Sequence, residues 1–241
     1  MYPDAVAVTA ADDQRVPVNI WTVTAAAAFT ALATGLGAVP FRFFSPNQRR
    51  WNGIAAVLML VASASLLWQG YGLGVGRLAV GTALGVLFIV VFRRLVGDHD
   101  DLVLGRLRGA DALKALVIVS VMTAHSAAEG VGVGVSYGGS ETLGVFVTVL
   151  IALHNVPEGL AISAVLVPRG ASVRAAAGWS VFSSLPQPLI APLAFLFVEQ
   201  FRAVLPAGLG FAAGAMVWMV WSELVPDLRS HGEIGHRTHA H

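Results

Sequence analysis

Two residue pairs in this chain have types and spacing suited to chemistry. His125 and Glu129 stand in Thr-Ala-His-Ser-Ala-Ala-Glu-Gly, and His154 and Glu158 in Leu-His-Asn-Val-Pro-Glu-Gly. Each is an H-x-x-x-E pair. On a helix, positions i and i+4 share one face about 6 Å apart, so each pair can aim an imidazole and a carboxylate at one point. Both pairs lie inside apolar stretches, where an uncompensated carboxylate costs about 2.5–3.5 kcal/mol. Two carboxylates facing one cavity also repel, so one is expected to keep a proton until a cation arrives. A divalent ion offsets both costs, because two glutamates, two neutral histidines and M²⁺ sum to zero charge. Such a set suits zinc, and also Fe²⁺ or Mn²⁺. The plainer alternative is two His–Glu hydrogen bonds that only join helices. Two matched copies on consecutive spans favour the ion.

The elements that must position these residues are membrane helices. Of 241 residues, 56% are hydrophobic and 12% charged, and the mean hydropathy is +0.73. An average soluble domain carries about 25% charge, so this composition excludes an ordinary soluble fold and a disordered chain. Seven apolar stretches stand out, at about 18–41, 52–68, 73–92, 112–135, 143–167, 176–198 and 203–225. The expected fold is all-α, a polytopic membrane bundle of seven transmembrane helices spanning 18–227. Residues 1–17 form a short extracytoplasmic tail without the pattern of a cleavable leader, and 228–241 a His-rich cytosolic tail. Dyad alternation is absent, which argues against a barrel. Spans four and five are joined by a short link at about 136–142. They should be antiparallel neighbours, with the two motifs at depths differing by about 6 Å.

Charge placement orients the bundle. Twelve of the fifteen basic residues (Arg42, Arg49, Arg50, Arg93, Arg94, Arg106, Arg108, Lys114, Arg169, Arg174, Arg229, Arg237) fall on alternate links and the C-terminal tail. The positive-inside rule then puts the N-terminus outside and the C-terminus in the cytosol of an inner-membrane protein. The net charge of +1 gives no field toward a polyanion, so the expected partners are a divalent metal ion and the lipid bilayer, not nucleic acid. The absence of cysteine excludes thiolate sites, and nothing indicates an organic cofactor.

Other polar residues qualify the picture. Pro157 should bend span five and free the Leu153 carbonyl. Pro186-Gln187-Pro188 predicts a broken helix in span six. Ser63 is expected to bond a carbonyl on its own helix, and Glu223 to reach water at the cytosolic end of span seven. The Asp98-His99-Asp100-Asp101 segment and the tail histidines His231, His236, His239 and His241 read as solvated segments or as weak metal collectors.

With these residues in view, the sequence resembles the ZIP (Zrt/Irt-like) family of divalent-metal transporters, especially its bacterial branch. His154-Asn155-Val156-Pro157-Glu158-Gly159-Leu160-Ala161 is similar to the fifth-helix signature, and His125-Ser126-Ala127-Ala128-Glu129-Gly130 to the fourth-helix one. Ala33–Pro40, Met59–Ser63, Gly214-Ala215-Met216 and Ser222–Pro226 resemble pieces of helices one, two and seven. The resemblance implies His125, Glu129, His154 and Glu158 as metal ligands and Ser63 as a helix-two contributor. It implies divalent metal, zinc first, as the transported substrate, moving into the cytosol, with iron, manganese or cadmium as further cargo. The family's second-metal positions read here Ser126, Asn155 and Gln187, which weakens that site and predicts one strong site. Glu223 and Asp227 would receive the ion. The family usually has eight helices where seven spans are counted here, and a homodimer is an open option.

Two rivals remain at this level: an intramembrane zinc hydrolase, and a membrane metal binder or sensor that transports nothing. Against the hydrolase, H-E-x-x-H is missing and four protein ligands leave no position for catalytic water. A retinal protein is excluded because Lys114, the only lysine, opens span four and not the last helix.

Overall fold

A computed structural model describes residues 18–44, 46–96, 103–104, 107–108 and 110–225. Eight α-helices are present among them: α1 Ile20–Leu36, α2 Gln48–Leu73, α3 Val75–Val96, α4 Ala110–Gly139, α5 Glu141–Leu166, α6 Val173–Ser184, α7 Pro186–Gln200 and α8 Leu205–Met219. Short polar links start several of them. Asn19, Asn47, Ser140 and Ser172 each accept a hydrogen bond from the backbone N–H three residues on, satisfying one free donor of the first turn. Six segments among the described residues are long and apolar enough to cross a bilayer: Ile20–Arg42, Arg50–Leu73, Val75–Leu95, Glu141–Leu166, Val173–Gln200 and Arg202–Ser222. With α4, whose 30 residues span about 45 Å, they make the expected polytopic bundle. Among the described residues the only strands are a short ribbon before α4, pairing Val103 with Arg108 and Leu104 with Leu107.

The sixth span is divided, as its prolines require. α6 stops at Ser184 and α7 begins at Pro186. Pro186 and Pro188 have no N–H to give to the preceding turn. Leu185 keeps helical angles, and its N–H bonds Phe182 O at 3.2 Å, so the chain continues in nearly the same direction through a tightened turn. In α5, by contrast, the helical run passes through Pro157 without interruption. The last turn of the seventh span, Val220–Leu224, is a π-helix.

Burial separates the centre of the bundle from its rim. In the most apolar window of α5, 72% of residues are buried, against 22% in α3. Hydrophobicity cannot drive helices together within lipid, so close contact depends on small residues. A Cβ on Gly37 or Gly159 would strike the backbone between α1 and α5. One on Gly130 or Gly134 would strike α7 from α4, and ones on Gly81, Gly85, Gly210 and Gly214 would meet backbone between α3 and α8. The α4–α8 contact is softer, made by Gly132 with the Ala212 side chain and Gly208 with the Val135 side chain. Three backbone-to-backbone seams thus tie α1 to α5, α4 to α7 and α3 to α8.

Gly214→Ala should therefore lower the thermal midpoint measured in detergent by several degrees, since the new methyl meets the Thr82 carbonyl and overpacking costs about 1–3 kcal/mol. Gly178→Ala, where a Cβ meets nothing within 4 Å, should leave it unchanged or raise it.

Candidate metal centre

α4 and α5 carry the two sequence motifs and pack side by side, joined at Ser140. His125, Glu129, His154 and Glu158 are 2%, 0%, 1% and 7% exposed. Each offers one ligand atom, and these four atoms lie within 4.8 Å of one another. A tetrahedral zinc with bonds of about 2.05 Å needs ligand atoms about 3.3 Å apart. The widest separation thus exceeds that geometry by about 1.5 Å.

The two carboxyl groups live in different surroundings. Glu129 Oε1 lies 2.9 Å from His125 Nε2 and also bonds His154 Nε2. Its Oε2 accepts a hydrogen bond of 2.5 Å from Gln187 Nε2. Glu158 has no hydrogen-bond partner on either oxygen. Nδ1 of both histidines is likewise buried and unpartnered. Glu158, His125 and His154 line a cavity of about 30 Å³ with Asn52, Ala55, Met59, Met122, Pro157, Ala161 and Met219. That is room for about one or two waters or one largely dehydrated ion. Glu129 is not among the lining residues.

A second layer holds Glu129 in place. A carboxylate only accepts, so the Gln187 amide must present its NH₂ to Glu129 and its oxygen to the other side. That oxygen lies 2.5 Å from Thr30 Oγ1 and 3.2 Å from Asn155 Nδ2. Asn155 Nδ2 also donates to Thr30 O at 2.7 Å, and the Thr30 hydroxyl lies 2.7 Å from Ala27 O. That hydroxyl has one proton, so it donates to one of these two oxygens at a time. The break in the sixth span sets Gln187 at the start of α7, where Gly130 lets the α4 backbone approach Gln187 Cα.

The structure brings together four of the eight residues that the sequence marks as metal-site candidates and gives Asn155, Gln187 and Ser63 other partners. Gln187 and Asn155 form the layer behind Glu129, with Asn155 Oδ1 buried and unpartnered. Ser63 is buried and donates to Met59 O at 2.8 Å, the bond on its own helix that its type favours, and it does not line the cavity. The Glu223 backbone lies in the π-turn, while its side chain falls outside the described residues, as do Asp98–Asp101, Asp227 and the tail histidines. Sequence reasoning did not bring Met122, Met219 or Asn52 to the cavity. Helical spacing gives only a weak signal, since Met122 precedes His125 by three residues on α4.

The fold and this cluster define a class: a polytopic helical membrane protein with a buried two-histidine, two-glutamate centre. The family model for the ZIP zinc transporter matches residues 96–240, and the chain belongs to that family. It is 45% identical over 225 residues to a putative zinc transporter of Arabidopsis thaliana, an alignment covering 89% of this chain and 36% of that much longer protein. The zinc transporter GufA of Myxococcus xanthus is 33% identical over 219 residues, covering 83% of this chain and 85% of the relative. The zinc transporter ZIPB of Bordetella bronchiseptica is 32% identical over 241 residues, covering 91% and 76%.

Gln187→Leu removes the donor to Glu129 Oε2, while the Thr30 hydroxyl keeps Ala27 O and Asn155 Nδ2 keeps Thr30 O. A buried carboxyl oxygen so orphaned costs about 1–3 kcal/mol, so thermal unfolding should occur well below that of the parent protein. Thr34→Val, which breaks only the 2.7 Å Thr34–Ser184 hydroxyl pair away from the cluster, should cost less.

Proposed function

We propose that the protein carries divalent zinc across the bilayer into the cytosol through one site made by His125, Glu129, His154 and Glu158. One observation carries this reading. A carboxyl group with no hydrogen-bond partner, Glu158, faces a cavity shared with two imidazoles, and a second glutamate stands within 4.8 Å. Such an arrangement is costly without an occupant, and a cation turns that cost into binding energy. Zinc is the favoured cargo because nitrogen and carboxylate oxygen in near-tetrahedral reach suit it, and because the relatives are named zinc transporters. Iron, manganese and cadmium are secondary cargo by the same donor set.

The site takes one ion. Gln187 turns its NH₂ to Glu129 and its oxygen to Thr30 and Asn155, and its neutral amide brings no charge to offset a second divalent ion. Release toward the cytosol is the direction that the resemblance to ZIP transporters implies. The glycine seams suggest the moving parts. α1 with α5, and α4 with α7, carry the site and its second layer and are each joined by backbone contact, as are α3 and α8, while α4 meets α8 through side chains. Sliding at that softer contact exposes one site to either side in turn, as midplane carriers do.

Uptake of ⁶⁵Zn into proteoliposomes should fall to background in Glu158→Ala while the protein stays folded by circular dichroism; undiminished flux sinks the assignment. Titration of the purified protein should saturate with a single tightly bound zinc per chain, and two ions of comparable affinity would contradict the one-site reading.

A further inference from the structure

Away from the His–Glu cluster, a groove of about 540 Å³ runs between four helices. Its walls include Leu84 of α3, Val135 of α4, Leu193 and Phe197 of α7, and Gly208 and Phe211 of α8. Every residue of the lining is a glycine, an alanine, a branched aliphatic or a phenylalanine. Leu84, Leu193 and Phe197 are each more than half exposed, so the groove opens outward. α3, α7 and α8 belong to segments long and apolar enough to cross a bilayer, so the opening faces hydrocarbon. Two features set it apart from ordinary lipid-facing surface. The first is its floor. Val135 and Gly208 form one of the two contacts by which α4 meets α8, so the groove straddles the joint between the α4–α7 seam and the α3–α8 seam. The second is its end. Phe197 and Val198 line the groove on one side of the α7–α8 link and Val204 on the other. Between them, Glu199 and Arg202 form an ion pair at 2.7 Å, with side chains 42% and 60% exposed. Arg202 also donates to Gly138 O at 2.5 Å near the end of α4, which fixes the pair at this end of the bundle.

We propose that this groove binds one phospholipid with a zwitterionic, amine-bearing head group, its acyl chain between the two seams and its head group on the Arg202–Glu199 pair. The volume lies within the range of about 300–1,000 Å³ usual for small-molecule sites. Inside a bilayer the chain gains close packing and not dehydration, so a concave apolar wall on four helices holds it better than a convex helix face. Charge complementarity at the mouth selects the head group. The two bonds of Arg202 use two of its five N–H groups, and the others suit a phosphate oxygen. The lipid ammonium donates to the Glu199 carboxylate. Charges then alternate from phosphate to guanidinium to carboxylate to ammonium. An anionic lipid without an amine offers Glu199 no donor of that kind. A lipid held here touches both seams and stabilises this arrangement of them by as much as it binds this arrangement better than another. The site is separate from the His–Glu cluster and stands whatever that cluster carries.

The test uses the purified full chain, stripped of lipid in detergent. It is titrated with phosphatidylethanolamine and, separately, with phosphatidylglycerol of the same acyl chains, and read by native mass spectrometry and by the thermal midpoint. One phosphatidylethanolamine per chain should bind on the order of tenfold more tightly than phosphatidylglycerol, about what one charge-assisted hydrogen bond supplies. The midpoint should rise with its concentration, as for a ligand of the folded state alone. Glu199→Gln should erase the preference between the two head groups. Leu193→Trp fills the groove and should weaken phosphatidylethanolamine binding on the order of tenfold, the cost of overpacking a fitted site. Leu196→Trp, on the same helix and also exposed but outside the lining, should not. Both positions are exposed, and an unchanged lipid-free midpoint shows that each variant folds. Equal binding of phosphatidylethanolamine by the two tryptophan variants overturns the proposal, as does a parent protein that does not distinguish the head groups. A lipid-free dimer that Leu193→Trp dissociates assigns the groove to a second copy of the chain and overturns it too.

Discussion

The structure turns on an asymmetry between two buried carboxyl groups. Glu129 is satisfied on both oxygens, by two imidazole nitrogens and the Gln187 amide, whereas Glu158 is satisfied on neither. Bulk water does not reach the hydrocarbon core to relieve that imbalance. Glu158 keeps its place because the surrounding helices are over-determined elsewhere. α5 is the most buried of the candidate spans, and Gly159, directly after Glu158, sits against the α1 backbone with no room for a side chain. The strain of an unpartnered polar group is borne by packing that does not depend on it.

That packing is largely a matter of small and hydroxylated residues. Thr30, Thr34, Ser180, Ser183 and Ser184 are wholly buried where α1, α6 and α7 meet, and most of their hydroxyls bond carbonyls on their own helices. Self-satisfied hydroxyls let backbones approach without leaving polar groups stranded. Across this tight region only a few bonds cross between helices, chiefly Thr34 to Ser184 and the Thr30–Gln187–Asn155 group. The second of these is the one that reaches the His–Glu cluster. It couples the position of Glu129 on α4 to α1, α5 and α7 at once, so the four helices hold one geometry as a unit.

How much of this could be read from the residues depends on the range over which each interaction acts. The H-x-x-x-E spacing is local, and a helix converts it into a shared face without further information; hence the four cluster residues were legible. The break in the sixth span was legible for the same reason, since Pro186 and Pro188 act on their own backbone. Gln187 was visible as a neutral residue between prolines, but its role as a donor to Glu129 depends on how α4 and α7 approach, which Gly130 permits and no spacing rule specifies. The convergence of Met59, Met122 and Met219 was invisible for a similar reason: each reads as an ordinary apolar residue on its own span. The division of labour between the two glutamates follows from the relative rotation of α4 and α5, and the π-turn at Val220–Leu224 has no signal in the residues that form it.

The same asymmetry gives the site an order of events under the transport reading. The cavity touches Glu158 and both imidazoles but not Glu129, so an ion arriving there meets its open carboxyl group first. The imidazole Nε2 atoms are already engaged with Glu129 Oε1. Coordination by those nitrogens must replace these bonds, because a ring nitrogen cannot hold a proton for a carboxylate and a lone pair for a metal at once. Glu129 does not become orphaned in the exchange. Its Oε2 stays on Gln187, and Oε1 is released toward the ion that displaced its partners. A site built this way is closed by its own hydrogen bonds when empty and opened by the charge it carries. The neutral amide behind Glu129 serves that exchange better than a third carboxylate would, since it restrains the ligand without adding charge that a single divalent ion could not balance.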